Sequence, residues 1–187
     1  MVEANILTEN DRVELLAGQI VEQVPINPPH AATVRRLQRT FTRVLADGEF
    51  DYRTENPITL PGNSEPEPDF CIVRWRDDDY ATAHPGAPDI ALVIEVADTT
   101  LVRDRGSKLA IYAAAGIGEY WIFNLVDRQL ERYTEPVPEI PAIGRPATYA
   151  RSEVFPDGGR LEHPAFGEIV TGDLLPSLPP HRDGRRT

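Results

Sequence analysis

The chain has 187 residues, a hydrophobic fraction of 41%, and 19 basic against 30 acidic residues, which gives a formal net charge of −11. This length and hydrophobic content fit one folded domain with a core of its own. The charge excludes a protein that binds nucleic acid through a broad basic surface, so any contact with a polyanion has to be local or mediated by a metal ion.

The first residues are charged, and no apolar stretch approaches the roughly 18 residues of a membrane-spanning helix. We therefore expect neither a secretory signal nor a membrane span. A single cysteine, Cys71, excludes an intramolecular disulfide and suits a reducing compartment. These features predict a cytoplasmic protein.

Hydrophobic periodicity and chain-breaking residues divide the first half of the chain into two predicted helices and three predicted strands. A capping threonine and a following glycine delimit the first helix. Apolar residues at helical spacing mark the second, which carries arginines on its other face. The predicted elements are a helix from Thr8 to Gly18, a strand over 19–24, a helix over 30–46, an edge strand over 52–60 that Pro57 interrupts, and a buried strand over 70–73.

The second half continues with strands and one helix and then becomes rich in proline. The run at 90–96 is apolar on both faces and is therefore predicted to be a central strand. A helix over 102–115, a strand over 120–125 and its hairpin partner over 129–134 follow. Residues 135–180 are predicted to be a β-rich appendage with short strands at 148–154 and 168–170, and residues 181–187 a disordered tail. We predict one α/β domain over 1–187, with a core over 8–134 built on a mixed central sheet flanked by helices.

Two acidic residues lie next to or inside strands that are predicted to be buried. Asp69 stands at the entrance of the strand over 70–73, and Glu95 lies inside the apolar run over 90–96. A charged group that is buried without a partner costs several kcal/mol, so Glu95 needs a basic side chain or a metal ion. If the two strands are neighbours, both carboxylates converge at one end of the sheet, and two carboxylates with water are a usual way to hold Mg²⁺.

Lys108 is the only lysine among the 19 basic residues, and it lies in the helix that follows Glu95. Arginine replaces lysine easily as a surface charge, but not as a compact ammonium beside a reacting water. Lys108 and Tyr112 share one helix face at a spacing of four residues. Glu14 on the first predicted helix could add a further carboxylate that faces the metal.

Each of these residues also has a plainer interpretation. Glu95 could be a core acid in an ion pair, and Asp69 could simply be the first residue of a strand. Lys108 could pair with Asp104 on the helix surface, and Glu14 could be a solvated helix acid. Tyr112 is expected to pack in the core, and no partner is evident for the remaining candidate, His30. The argument for a site therefore depends on the whole set of residues.

Five segments in order resemble motifs of the Uma-two family of restriction endonucleases, within the PD-(D/E)xK nuclease superfamily. They span about residues 8–134, and the remainder of the chain fits more loosely. The matching segments are Glu14–Glu22, Pro66–Asp69 with Phe70–Val73, Val93–Thr100, Asp104–Leu109 with Tyr112-Ala113, and Gly116–Ile122.

The resemblance implies a restriction-endonuclease-like α/β core and Mg²⁺-dependent hydrolysis of phosphodiester bonds in DNA, with Mn²⁺ as a possible substitute. It makes Asp69 and Glu95 metal ligands, Lys108 the catalytic lysine and Glu14 the helix acid of the site. The superfamily pattern places lysine two residues after the second acid, where this chain has Ala97. Lys108 would reach the site from the following helix, as in families with a migrated lysine.

Further expectations concern the partners of such a nuclease. Arg103, Arg105 and the arginines of the helix over 30–46 are candidates for contacts with flanking phosphates. Nucleases of this kind often act as homodimers that cut two strands, so a homodimer is expected.

The main alternative is a non-catalytic binding or assembly protein that keeps the nuclease fold. It predicts that an arginine neutralises Glu95. Phosphate-binding glycine loops and the usual zinc-ligand patterns are absent from the sequence, which disfavours a nucleotide-binding protein or a zinc hydrolase.

Overall fold

The computed structural model describes residues 11–46 and 48–177, in which the chain forms an α/β fold. The strands are β1 (Val13–Leu16), β2 (Gln19–Glu22), β3 (Phe50–Arg53), β4 (Phe70–Arg74), β5 (Ile90–Ala97), β6 (Glu119–Asn124), β7 (Gln129–Val137), β8 (Thr148–Pro156), β9 (Arg160–His163) and β10 (Gly167–Val170). The α-helices are α1 (Pro28–Val44), α2 (Leu101–Arg103), α3 (Leu109–Ala114) and α4 (Thr171–Leu174). A π-helical turn over Asp104–Lys108 joins α2 to α3, and 3-10 turns lie at Ala87–Asp89 and Pro141–Ile143. None of the helices in these two ranges is long and apolar enough to cross a membrane.

Six strands form one mixed sheet in the order β3-β4-β5-β6-β7-β8. Strands β5 and β6 are parallel, and every other neighbouring pair is antiparallel. A parallel pair needs a crossover connection, and the segment Leu101–Ala114, which we call the crossover helix, supplies it. The predicted mixed sheet is confirmed, with β5 in its interior.

Apolar cores cover both faces of the sheet, and β5 contributes to each. Its residues Leu92, Ile94 and Val96 pack with side chains of α1 in one core. Val93 and Ala97 face the other way and pack with side chains of the crossover helix in the second core. Because side chains alternate along a strand, Glu95 lies on the same face as Val93 and Ala97. A carboxylate is thus placed beneath the crossover helix.

The first predicted helix is wrong, because residues 13–22 form an antiparallel hairpin of β1 and β2. Its turn residues, Ala17 and Gly18, have φ angles of 50° and 79°. Positive φ at both central residues is the mark of a type I′ turn, which joins strands and cannot end a helix in this way. Burial alternates along β1, because Glu14 and Leu16 are buried and Val13 and Leu15 are more exposed. This two-residue period is typical of a strand. The proposed capping residue Thr8 lies outside the described residues.

The C-terminal segment is β-rich, and it contributes to both the central sheet and the core. Strand β8 pairs with β7 along its length as the sixth strand of the sheet. Leu161, Phe166 and Ile169 are buried in the core against α1, and the ring of Phe166 lies 5.5 Å from that of Phe41. Strand β9 has no counterpart among the predicted elements. The expected disordered tail, 181–187, lies outside the described residues.

The role of this segment in the core predicts the effect of truncating one buried side chain. We expect Leu161→Ala to lower the free energy of unfolding of the whole domain by about 2–5 kcal/mol, because it opens a cavity in a closely packed core. Urea denaturation followed by tryptophan fluorescence measures the change. Glu162→Ala, at the exposed neighbouring position, is the control and should leave the midpoint nearly unchanged. A Leu161→Ala variant with the wild-type midpoint would contradict this packing.

Candidate active site

The two carboxylates predicted to converge lie opposite each other on neighbouring strands. Strands β4 and β5 are antiparallel, with Phe70 paired to Ile94. Extending that register by one pair places Asp69 opposite Glu95. The backbone N–H of Val96 donates to Asp69 Oδ2 over 2.7 Å, so the aspartate is held against the end of β5.

Lys108 joins Glu95 to Glu14 at the centre of the site. Its Nζ lies 2.9 Å from Glu95 Oε1 and 3.1 Å from Glu14 Oε2, and its side chain is only 7% exposed. Tyr112 OH donates to the same Oε1 of Glu95 over 2.7 Å. The lysine and the tyrosine come from one face of the crossover helix, so that helix and the hairpin of β1 and β2 close over Glu95. We call Lys108, Glu14 and Glu95 the buried triad.

Negative charge exceeds positive charge in this site. Burial raises the pKa of Glu95, Lys108 opposes that rise, and Asp69 and Asp104 add to it. Burial alone would lower the pKa of Lys108, but attraction to Glu95 and Glu14 outweighs it and raises the pKa above its ordinary value. Lys108 is therefore protonated at neutral pH. It can stabilise negative charge, but it cannot take a proton from water.

One oxygen of each opposed carboxylate is occupied by two partners. Oε1 of Glu95 accepts from Lys108 and Tyr112. Oδ2 of Asp69 accepts from the Val96 N–H and lies 3.1 Å from His30 Nε2. No described residue donates a hydrogen bond to the second oxygen of either acid, and both residues line the same cavity.

This donor set fits a hard divalent cation held partly by water. Within residues 11–46 and 48–177, no three His, Cys, Asp or Glu side chains are grouped closely enough to hold a metal ion by themselves. Mg²⁺ commonly binds through one or two carboxylates and keeps several waters. Asp69 and Glu95 meet that requirement, and a cation between them would offset the surplus negative charge.

The cavity above the triad has a volume of about 390 Å³ and a strongly acidic lining. Its three permanently charged basic residues are Arg12, Arg103 and Lys108. Its acidic residues are Asp11, Glu14, Glu55, Glu67, Asp69, Glu95, Asp98 and Asp104. An anionic substrate could enter such a cavity only with a cation to offset this charge.

The two arginines predicted to contact phosphate have different surroundings. Arg103 lines the cavity, where its Nη1 lies 3.4 Å from Glu14 Oε1 and donates to the carbonyl of Glu22 over 3.2 Å. Arg105 instead forms a two-pronged ion pair with Glu131, including a 2.8 Å bond from Nε to Oε2. The structure therefore offers Arg103, and not Arg105, to a ligand in the cavity.

The ion pair of Arg105 anchors the π-helical turn to the sheet. Asn124, which is buried, also donates to Glu131, and Tyr133 OH donates to it over 2.8 Å. Burial alone would raise the pKa of Glu131, but these bonds, led by that from Arg105, lower it to about 2. Arg105 thus helps to fix the turn that ends at Lys108.

Sequence reasoning missed two contacts and misplaced one residue of the site. Tyr112 packs in the core as predicted, and its hydroxyl group also donates to Glu95. The sequence shows no evident partner for His30, and in the structure its ring contacts Asp69. Glu14 lies on strand β1 and not on a helix. The shared helix face of Lys108 and Tyr112 could have indicated the contact of Tyr112 with Glu95. No local sequence pattern indicates the contact of His30 with Asp69.

The buried triad predicts a large loss of stability when its lysine is removed. We expect Lys108→Met to cost about 3–5 kcal/mol, because it leaves two buried carboxylates without their cation. The double variant Glu14→Gln/Lys108→Met should recover part of that loss, since it removes one of the two charges. Guanidinium denaturation measures both. A Lys108→Met variant within 1 kcal/mol of the wild type would contradict a buried triad.

Glu131 predicts a pH dependence of stability. A carboxylate whose pKa is lowered on folding stabilises the protein above its unfolded pKa, and this stabilisation is lost as the pH falls through the folded value. For Glu131 the loss falls between about pH 4.5 and pH 2. We expect Glu131→Gln to lower the free energy of unfolding at pH 7 by about 2–3 kcal/mol. We also expect the stability of this variant to fall less steeply than that of the wild type between pH 4.5 and pH 2.

Urea midpoints measured from pH 7 down to pH 2 provide the test. Glu139→Gln, at an exposed position, is the matched control and should keep the wild-type pH profile. If the stability of Glu131→Gln falls as steeply at low pH as that of the wild type, Glu131 is not the cause of the fall.

Comparison with solved structures identifies a related fold. A crystal structure described as a “putative nuclease belonging to DUF820” from Anabaena variabilis matches with a TM-score of 0.68 and 17% sequence identity. The match covers 92% of this chain and 94% of the other. At this identity the likeness establishes the fold alone.

Comparison with family models gives a more specific result, although no curated protein matches the chain. The model of the Uma2 family, described as “Putative restriction endonuclease”, matches residues 3–173. This range includes all five motifs noted in the sequence, together with β8, β9 and β10. The chain belongs to the Uma2 family.

Proposed function

We propose that the protein is a metal-dependent endonuclease that hydrolyses phosphodiester bonds in DNA, with Mg²⁺ as its cofactor and Mn²⁺ as a substitute. One observation carries the proposal: Asp69, Glu95 and Lys108 come from three segments of the chain and line one cavity. Membership of the Uma2 family supports the same reaction class.

Each residue has a distinct role in this proposal. Asp69 and Glu95 would hold the cation, and a bound Mg²⁺ would supply a more acidic water and offset charge on the phosphate. Lys108 is protonated and stabilises the negative charge that develops on the phosphoryl oxygens. Glu14 holds Lys108 in place, and Arg103 binds a phosphate oxygen at the cavity wall.

The competing proposal, a binding protein without activity, requires an arginine on Glu95. The basic partner of Glu95 is Lys108, at 2.9 Å. A compact ammonium at this position is suited to a reacting centre, whereas arginine is the preferred residue for a buried ion pair that is purely structural. This contact favours the enzyme over the binding protein.

We further propose that the enzyme acts in the cytoplasm as a homodimer. The single cysteine, Cys71, is buried and unpaired, which suits a reducing compartment. One catalytic centre cuts one strand at a time, so two copies would allow both strands of a duplex to be cut. Sedimentation velocity with and without a DNA duplex measures the oligomeric state.

Cleavage of circular DNA tests the proposed activity. We expect nicked and linear products with Mg²⁺ or Mn²⁺ and none with a chelator. Asp69→Asn and Glu95→Gln should each lower the rate at least about 100-fold, because each removes a charged ligand while keeping its size.

Glu139→Gln, an exposed substitution of the same kind, is the control and should cut at the wild-type rate. Because circles have no ends, their cleavage separates an endonuclease from an exonuclease. Equal cleavage by the wild type and Glu95→Gln would point to a contaminating nuclease. No cleavage of single- or double-stranded circles with either metal would reject the proposal.

A further inference from the structure

We propose that His30 is a positioning residue that orients Asp69 toward the divalent cation of the site. The inference rests on the proposed function and adds to it a residue that the sequence motifs do not include. His30 touches neither the cation nor the substrate in this proposal. It acts through Asp69.

The contact between His30 and Asp69 joins helix α1 to the start of β4. His30 Nε2 lies 3.1 Å from Asp69 Oδ2, and the two side chains are 14% and 18% exposed. The same oxygen accepts the backbone N–H of Val96 at 2.7 Å. The two nitrogen contacts on Oδ2 restrict the rotation of the carboxyl group and leave Oδ1 for a cation in the cavity. Polar contacts from outside the ligand set tune both the orientation and the affinity of carboxylate ligands.

The other ring nitrogen indicates that packing alone does not explain this histidine. His30 Nδ1 is buried and has no hydrogen-bond partner. A buried polar atom without a partner costs free energy, and an apolar side chain of similar size would fill the position without that cost. The polar contact with Asp69 is what a histidine adds at this position.

The start of α1 is itself held in place, so His30 approaches Asp69 from a fixed support. Asn27 is the N-cap of the helix, and its Oδ1 accepts the backbone N–H of His30 over 3.0 Å. Its Nδ2 donates to Asp98 Oδ2 over 2.5 Å. Asp98 directly follows β5, so the cap ties the helix start to the strand that carries Glu95.

Calorimetric titration of Mg²⁺ into the folded protein, with and without a DNA duplex, tests the proposal. His30→Leu removes the donor and keeps the size of the side chain, and His30→Gln keeps an N–H donor at a similar reach. We expect the Mg²⁺ dissociation constant to rise about 10–100-fold in His30→Leu and to stay within about threefold of the wild type in His30→Gln. In cleavage assays, the half-saturating Mg²⁺ concentration should rise in His30→Leu while the rate at saturating Mg²⁺ recovers.

Thermal unfolding separates positioning from a structural role. A structural role would lower the unfolding temperature and leave the Mg²⁺ dissociation constant of the folded protein unchanged, which would overturn the inference. A His30→Gln variant that binds Mg²⁺ as weakly as His30→Leu would also overturn the inference. If His30→Leu does not fold, His30→Ala serves as the donor-free variant at this half-buried position near the helix start.

The outcomes distinguish this inference from the proposed function. Equal Mg²⁺ affinity in the wild type and His30→Leu, with DNA cleavage intact, would reject the role of His30 and keep the endonuclease. A wild-type protein that neither binds Mg²⁺, alone or with DNA, nor cuts DNA would reject both.

Discussion

The ammonium of Lys108, buried between Glu14 and Glu95, is the interaction on which the architecture of the site depends. It connects the hairpin of β1 and β2, the central strand β5 and the crossover helix. Buried ion pairs seldom stabilise a fold beyond what apolar packing would provide, because desolvation consumes most of the attraction. The position of three charged groups in the second core is therefore better explained by the chemistry of the cavity than by stability.

The arrangement around the triad follows one rule at both opposed carboxylates. In each acid, one carboxylate oxygen contacts neighbouring residues and the second oxygen has no such contact among the described residues. Lys108 and Tyr112 contact Glu95 in this way. The N–H of Val96 and the ring of His30 contact Asp69. The remaining acids make the cavity electronegative. If a divalent cation binds in the cavity as proposed, it would reduce the negative charge that a phosphate meets there.

Periodicity predicted most of the fold, and chemistry predicted part of the site. The apolar run of β5 and the helical spacing of α1 are strong local signals. The strand at Glu14 was missed because an apparent cap and Gly18 resembled the ends of a helix, although Ala17 and Gly18 form a hairpin turn. The contact of His30 could not be predicted, since it depends on how α1 crosses the sheet. The ion pair of Arg105 with Glu131 could not be predicted either, because it depends on how the crossover helix packs on β7.

The hairpin that carries Glu14 lies outside the six-strand sheet, and this has a consequence for the conformational ensemble. It is attached to the rest of the molecule by backbone bonds of its turn and of Leu15 to residues 63–65, and by the contacts of Glu14 with Lys108 and Arg103. Detaching it would break no strand pair of the main sheet, and such sub-global openings cost less than complete unfolding. A molecule with this hairpin open is folded but lacks one member of the triad. The equilibrium between the docked and the detached hairpin then sets the fraction of molecules with a complete triad. A ligand that contacts both Glu14 and β5 would shift this equilibrium toward the docked state.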